Sequence, residues 1–306
     1  MDNKPYRNLN EYYREIFGRK TAKISLDGGF TCPNRDGRCG TRGCLFCSAG
    51  GSGDFAENAS LSIREQVERG KAQTAEKWKD PAYIAYFQAF TNTYAPVKEL
   101  RRKYEEALTC DGVEGISIAT RSDCLPEDVL DYLEELNQKT KLWVELGLQT
   151  ADEASAQRIR RGYPLSVFEK AVMDLAERQI PVIVHVILGL PGENRETLLR
   201  TIDCVNRLPV QGIKLQLLHV LADSDLAEIY QKGDYTPLTK EEYISLVGDC
   251  IAHLRKDIVI HRLTGDGDKN TLLAPLWSLR KRDVLNSIHK YLKENRIQQG
   301  MSCKFD

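Results

Sequence analysis

The chain has 306 residues, of which 42% are hydrophobic and 28% charged, and its net charge is −1. Those values are those of an ordinary soluble protein of one large domain or two small ones. They exclude a membrane protein: no run approaches the length of a span, and the opening MDNKPYRNLNEYYREIF is too polar for a secretory signal, so a cytoplasmic location is expected.

The near-neutral total hides an asymmetry. Residues 1–50 carry nine Lys/Arg against five Asp/Glu, and residues 251–306 carry eleven against six, so the middle of the chain is acidic. Two basic ends brought together on one face would permit a nucleic-acid partner. On charge alone, Arg280-Lys281-Arg282 reads more simply as a solvated face.

Taken in order, residues 8–18 read as a short amphipathic helix and 22–26 as a strand. A polar loop follows, then the glycine-rich Gly50-Gly51-Ser52-Gly53. From there helix and strand alternate. Strands are expected at 83–90, 113–119, 142–149, 182–190 and 213–221, and helices at 63–78, 97–108, 126–137, 166–178 and 195–208. Six such strand–helix units imply a parallel sheet curled into a partial barrel. Helices at 239–254 and 279–295 then flank a strand at 258–262. The expected division is an N-terminal helix (1–20), a barrel (21–221) and a C-terminal α/β extension (222–306) that selects the substrate.

In parallel barrels the chemistry sits where strands end and loops begin. Polar residues gather there: Gln88, Thr91, Asn92 and Tyr94 after the second strand, Thr120, Arg121 and Asp123 after the third, Glu145 and Gln149 in the fourth. His185 falls in the fifth strand, and Gln216 and His219 in the sixth. Glu145 stands out because LWVELGLQT is otherwise apolar, and a buried carboxylate must face a polar cavity or pair with a cation.

Four of the nine cysteines lie in the loop after the first strand, at Cys32, Cys39, Cys44 and Cys47. The other five are scattered singly, as suits reduced core thiols. So polar a loop has no core of its own, and thiolates converging on metal would fix it. A closed zinc site would use all four thiols in two close pairs. Here a single C-x-x-C, with Phe46 before its second thiol, fits three ligands and a spare, the arrangement that leaves one iron of a 4Fe–4S cluster open.

The blocks LDGGFTCPNRDG, GCLFC, YFQAFTNTYAP, IATRSDCLP, ELGLQT, RRGYPLSVF, HVILGLPGE, LQLLHVL, HRLTGDG and APLWSLRKRDVLN run in order through nearly the whole chain. Together they resemble the radical S-adenosylmethionine (radical SAM) enzymes, specifically the bacterial YhcC/YtqA-type family, and more distantly the catalytic subunit of elongator. The resemblance implies an incomplete (β/α)6 barrel, a 4Fe–4S cluster on Cys32, Cys44 and Cys47, and cleavage of SAM to a 5′-deoxyadenosyl radical. Cys39 departs from the family pattern and reads as a bystander. QAFTNTY stands where many relatives carry a Gly-Gly-Glu segment, so Gln88, Thr91 or Asn92 would take the SAM amino group. Glu145 would hold the ribose, Arg158 the carboxylate, and the backbone at Gly189 the adenine. Arg262, Thr264 and Asp266 would lie near the substrate, with Trp277 and the basic run outside. The resemblance further implies tRNA as partner, the wobble uridine as target (carboxymethylaminomethyl toward aminomethyl), and a low-potential electron donor such as flavodoxin or ferredoxin. A radical SAM enzyme for a small molecule or protein, and a non-catalytic protein that uses the four-cysteine loop structurally, remain the alternatives.

Overall fold

The computed structural model describes residues 4–51, 53 and 56–305; Ser52 of the glycine-rich stretch lies outside them. The order begins α1 (Leu9–Phe17), β1 (Thr21–Leu26), α2 (Ile63–Ala75), β2 (Ala82–Phe87), α3 (Val97–Leu108) and β3 (Val113–Thr120). It continues with α4 (Glu127–Lys139), β4 (Lys141–Gln149), α5 (Glu153–Arg158), α6 (Leu165–Glu177), β5 (Val182–Leu188), α7 (Arg195–Asn206) and β6 (Gly212–Leu217). The remainder holds β7 (Val220–Leu221), α8 (Asp225–Gln231), α9 (Lys240–His253), β8 (Val259–Arg262), β9 (Leu272–Ala274), a 3₁₀ turn and α10 (Lys281–Glu294).

Strands β1 to β6 pair in sequence order, all parallel, and β8 adds to β6 as a seventh parallel strand. This is the expected curled α/β half-barrel, one strand wider because the strand at 258–262 joins the main sheet. A sheet covered by helices on one side and filled on the other is buried on both faces, so its strands read as near-continuous apolar runs. All six residues of β2 are buried. Prolines stand at the heads of α3, α4 and α6 (Pro96, Pro126, Pro164), where a missing N–H leaves no helical bond unmade.

The run LQLLHVL, continuous in sequence, is divided: β6 stops at Leu217, and β7 pairs antiparallel with β9 in a separate ribbon. Helix α1 closes the N-terminal end of the barrel. Its Tyr13 packs against Ile84, Trp143 and Ile183, with Tyr12 and Phe17 around them, and Trp143 Nε1 donates to the Tyr12 hydroxyl at 3.2 Å.

The loop after β5 carries the half-buried Glu193, whose carboxylate accepts a hydrogen bond from Thr150 Oγ1. Burial pushes this carboxyl up from 4.5 to about 7, Asp152 adding to the shift and Thr150 opposing it. A raised folded-state pKa means that the stabilisation is complete below about 4.5 and lost as pH rises through about 7. Glu193→Gln is therefore expected to leave stability little changed at pH 5 and to raise it at pH 8 by on the order of 2 kcal/mol, read from urea unfolding at the two pH values.

Candidate active site

Alternate residues of each strand point into the barrel and form layers above the α1 plug. The lowest layer is the apolar Ile84, Trp143 and Ile183. The next is polar and built around Glu145, whose carboxylate is fully buried. Glu145 Oε1 accepts from Lys23 Nζ and Ser117 Oγ, each at 2.6 Å, and Oε2 accepts from His185 Nε2 at 2.7 Å and from Lys214 Nζ. The two ammonium groups lie 4.7 and 4.6 Å from the centre of the Tyr86 ring, and Lys214 also bonds to its hydroxyl at 3.1 Å.

Burial alone would push the Glu145 carboxyl up, but Lys214, Lys23 and His185 together pull it well below the usual carboxylate range. Burial, reinforced by Lys214, pushes His185 down to about 4, so it is neutral at pH 7 and donates through Nε2–H.

Above this layer opens a cavity of about 620 Å³. Its walls include Ser25, Gly147, Ile187 and Gln216 from the strands, Gln88 just after β2, and Cys32, Cys44 and Cys47 from the loop after β1. That loop is held by its own backbone: Arg35 N–H and Asp36 N–H donate to Cys32 O, and Gly43 N–H donates to Asn34 O at 2.7 Å. Gly43 takes a φ of +75°, a value that favours glycine, immediately before the C-x-x-C turn. Leu45, inside the turn, is buried among Ile159, Ile187, Leu190 and Leu226 and exchanges backbone hydrogen bonds with Ile159 and Leu226. The apolar residue between the two thiols thus ties the loop to the barrel rim.

These residues fit an iron–sulfur cluster. Burial, with the neighbouring Cys47, pushes the Cys44 thiol up to about 12, so a thiolate there needs a cationic partner beyond Arg121 and the Asn34 Nδ2 donor at 3.3 Å. Hydrogen bonds to sulfur of this kind tune cluster thiolates. Cys39 is exposed and lies on the wall of a different cavity, with Arg42 and Gly162. Among the described residues no three His, Cys, Asp or Glu side chains close on a single metal ion. Three of the four thiols share the cavity wall and the fourth lies on a different one.

The expected SAM contacts are dispersed. Gln88 lies on the cavity wall. Asn92 is buried beneath it, its Nδ2 donating to Phe87 O and Ala119 O, because β2 ends at Phe87 and the chain turns inward. Arg158, the last residue of α5, is exposed and donates to Pro191 O outside the cavity. Gly189 is covered by Leu238 and by Tyr235, whose hydroxyl donates to Gly189 O at 2.8 Å. Glu145 reaches the cavity, yet both its oxygens are engaged by the cations beneath.

Arg262, Asp266 and His219 do line the cavity, as does Lys281 from the basic run, which bonds to Asp266 at 2.5 Å. Trp277 packs against Tyr243 and donates to Leu238 O. Sequence reasoning missed Lys23, Tyr86, Ser117 and Lys214. Their signal was available: a lysine interrupts each of the apolar strands TAKISL and GIKLQL, on the alternation that faces inward.

A profile of the Radical SAM superfamily matches residues 36–205, and one of the Radical_SAM C-terminal domain matches 210–294. The Bacillus subtilis (strain 168) protein YtqA is 48% identical over 297 residues, which span 97% of this chain and 92% of YtqA. A tRNA uridine(34) acetyltransferase of Methanocaldococcus jannaschii is 24% identical over 195 residues, 62% of this chain and 34% of that protein. Among solved structures, Elp3 of Methanocaldococcus infernus with an N-terminal deletion matches with a TM-score of 0.70 at 15% identity. That match covers 93% of this chain and 65% of the other, and it is a likeness of fold.

Proposed function

The chain belongs to the radical SAM superfamily, within the YhcC/YtqA-type family, and from that premise we propose that it acts on the 5-substituent of the tRNA wobble uridine, converting carboxymethylaminomethyl toward aminomethyl. The cofactors of the superfamily are a 4Fe–4S cluster and SAM, which when bound and reduced supply a 5′-deoxyadenosyl radical for hydrogen abstraction. In this reading Cys32, Cys44 and Cys47 hold the cluster, and Gln88 faces the SAM amino group. The observation that carries the enzymatic part is the placement of three thiols, and not the fourth, on the wall of a cavity above a buried polar layer.

The protein's own residues orient and exclude water. Leu45 and Phe46 pack the loop against the rim, and α1 stops the far end. Residues 222–306 supply Arg262, Asp266 and Lys281 to the cavity and are assigned substrate selection. Similarity to a tRNA uridine(34) acetyltransferase supports tRNA as the substrate class. A flavodoxin or ferredoxin is the proposed electron source. No helix among the described residues is long and apolar enough to cross a membrane.

The test is anaerobic reconstitution followed by incubation with SAM, dithionite and bulk tRNA from a strain lacking the protein. The expected result is 5′-deoxyadenosine together with a changed nucleoside in the tRNA digest. Formation of 5′-deoxyadenosine with every nucleoside unchanged would move the substrate to a small molecule or protein. Stoichiometric zinc with no cleavage of SAM would leave only a structural metal loop.

A further inference from the structure

The cavity and the polar layer beneath it hold more basic side chains than their carboxylates offset. Lys23 and Lys214 share Glu145, while Arg262 and Lys281 share Asp266, so four basic side chains meet two carboxylates. Lys214 and Arg262 are register partners on adjacent parallel strands, an arrangement in which like charges repel. The nearby histidines do not add charge: burial holds both His185 and His261 below their ordinary values.

Such a surplus is costly where it is buried, and Lys214 is 6% exposed. Burial pushes the Lys214 ammonium down to about 7 against the pull of Glu145, with Lys23 and Arg262 adding to the fall. An anion entering from the cavity would relieve this strain by approaching Lys214 and Arg262 together. Both border the cavity, and Arg262 keeps about a third of its side chain exposed to solvent. A guanidinium beside an ammonium is a donor set that suits a carboxylate.

The geometry points to a carboxylate-receiving subsite formed by Lys214 and Arg262, which seats the free acid of the substrate's side group and makes the protein prefer an anionic over a neutral or cationic substituent. This deepens the wobble-uridine reading and rests on it for the identity of the group. Glu145 and Lys23 act as positioning residues: Glu145 fixes Lys214 from below, and Lys23 keeps Glu145 ionised.

The experiment uses the full-length protein, cluster-reconstituted and saturated with SAM but without reductant, so that binding is measured in the absence of turnover. Two nucleosides are titrated calorimetrically: 5-carboxymethylaminomethyluridine and 5-aminomethyluridine. Wild type is expected to bind the first about tenfold more tightly, the size of one charge-assisted contact. Arg262→Gln should lose most of that preference and keep its affinity for aminomethyluridine within about twofold. Lys214→Met should behave likewise, with its melting curve recorded because Glu145 then depends on Lys23 and His185.

Equal binding of the two nucleosides by wild type would overturn the subsite, as would equal loss of both in Arg262→Gln. Filter binding of bulk tRNA separates the two readings. Retained tRNA without discrimination between nucleosides removes the subsite alone. Discrimination without tRNA binding keeps the subsite and assigns it to a smaller carboxylate substrate.

Discussion

Replacing Cys44 with alanine is expected to reduce 5′-deoxyadenosine formation by more than about a hundredfold, because loss of a ligand should cost more than the ten- to hundredfold typical of a supporting residue. Of the three thiols on the cavity wall, Cys44 is the one that accepts from Asn34, whose Nδ2 also donates to Arg160 O at 2.7 Å. It also opens the turn held by Leu45, so its position is set by both the loop and the barrel. The loss should appear first in iron and sulfide content and in the visible absorbance of the reconstituted protein, before any assay of turnover. Cys39→Ala is the control. That thiol is exposed on another surface, and its replacement should leave iron content and cleavage within about twofold of wild type. Equal damage from the two substitutions would sink the three-ligand assignment.

Glu145→Ala is expected to be the most destabilising single change in the barrel interior. It removes the only carboxylate bonded to Lys23 and Lys214 among the described residues, and leaves both ammonium groups against one tyrosine ring. Breaking a buried pair from one side costs about 3–5 kcal/mol, since the abandoned charge keeps its desolvation penalty. For a chain of this size that corresponds to a fall in Tm of roughly 5–8 °C, measured by calorimetry. The deficit should shrink as pH rises from 6 to 9, because Lys214, already depressed to about 7, sheds its proton more readily in the variant. Adding Lys214→Met to Glu145→Ala should recover part of the loss, and the double-mutant cycle measures how much. If Glu145→Ala melts within a degree or two of wild type, the polar layer is not an integral part of the fold.

Much of the barrel was legible because each of the six strands is an apolar run bounded by turn residues and followed by a helical period. The failures are local and share a cause. Helices α5 and α8 span six and seven residues, too few to display a period. The β6–β7 break hides in LQLLHVL because both sides of it are buried, so hydropathy is unchanged across the turn. Spacing alone pointed to three thiols and a spare, and the family resemblance named Cys32, Cys44 and Cys47, the three that line the cavity. The SAM contacts came from the resemblance. Asn92, Arg158 and Gly189 were placed by likeness of position, and a side chain's direction depends on where a strand stops. Glu145 was singled out by its apolar surroundings, whereas its partners Lys23 and Lys214 lie 122 and 69 residues away. Only the closed barrel makes them neighbours.

The stopper formed by Tyr13, Trp143 and their companions blocks one end of the curled sheet. Traffic between the cavity and solvent therefore cannot run past Tyr13 and Trp143, and whatever the cavity receives is drawn from the side of the sheet that carries the cysteine loop.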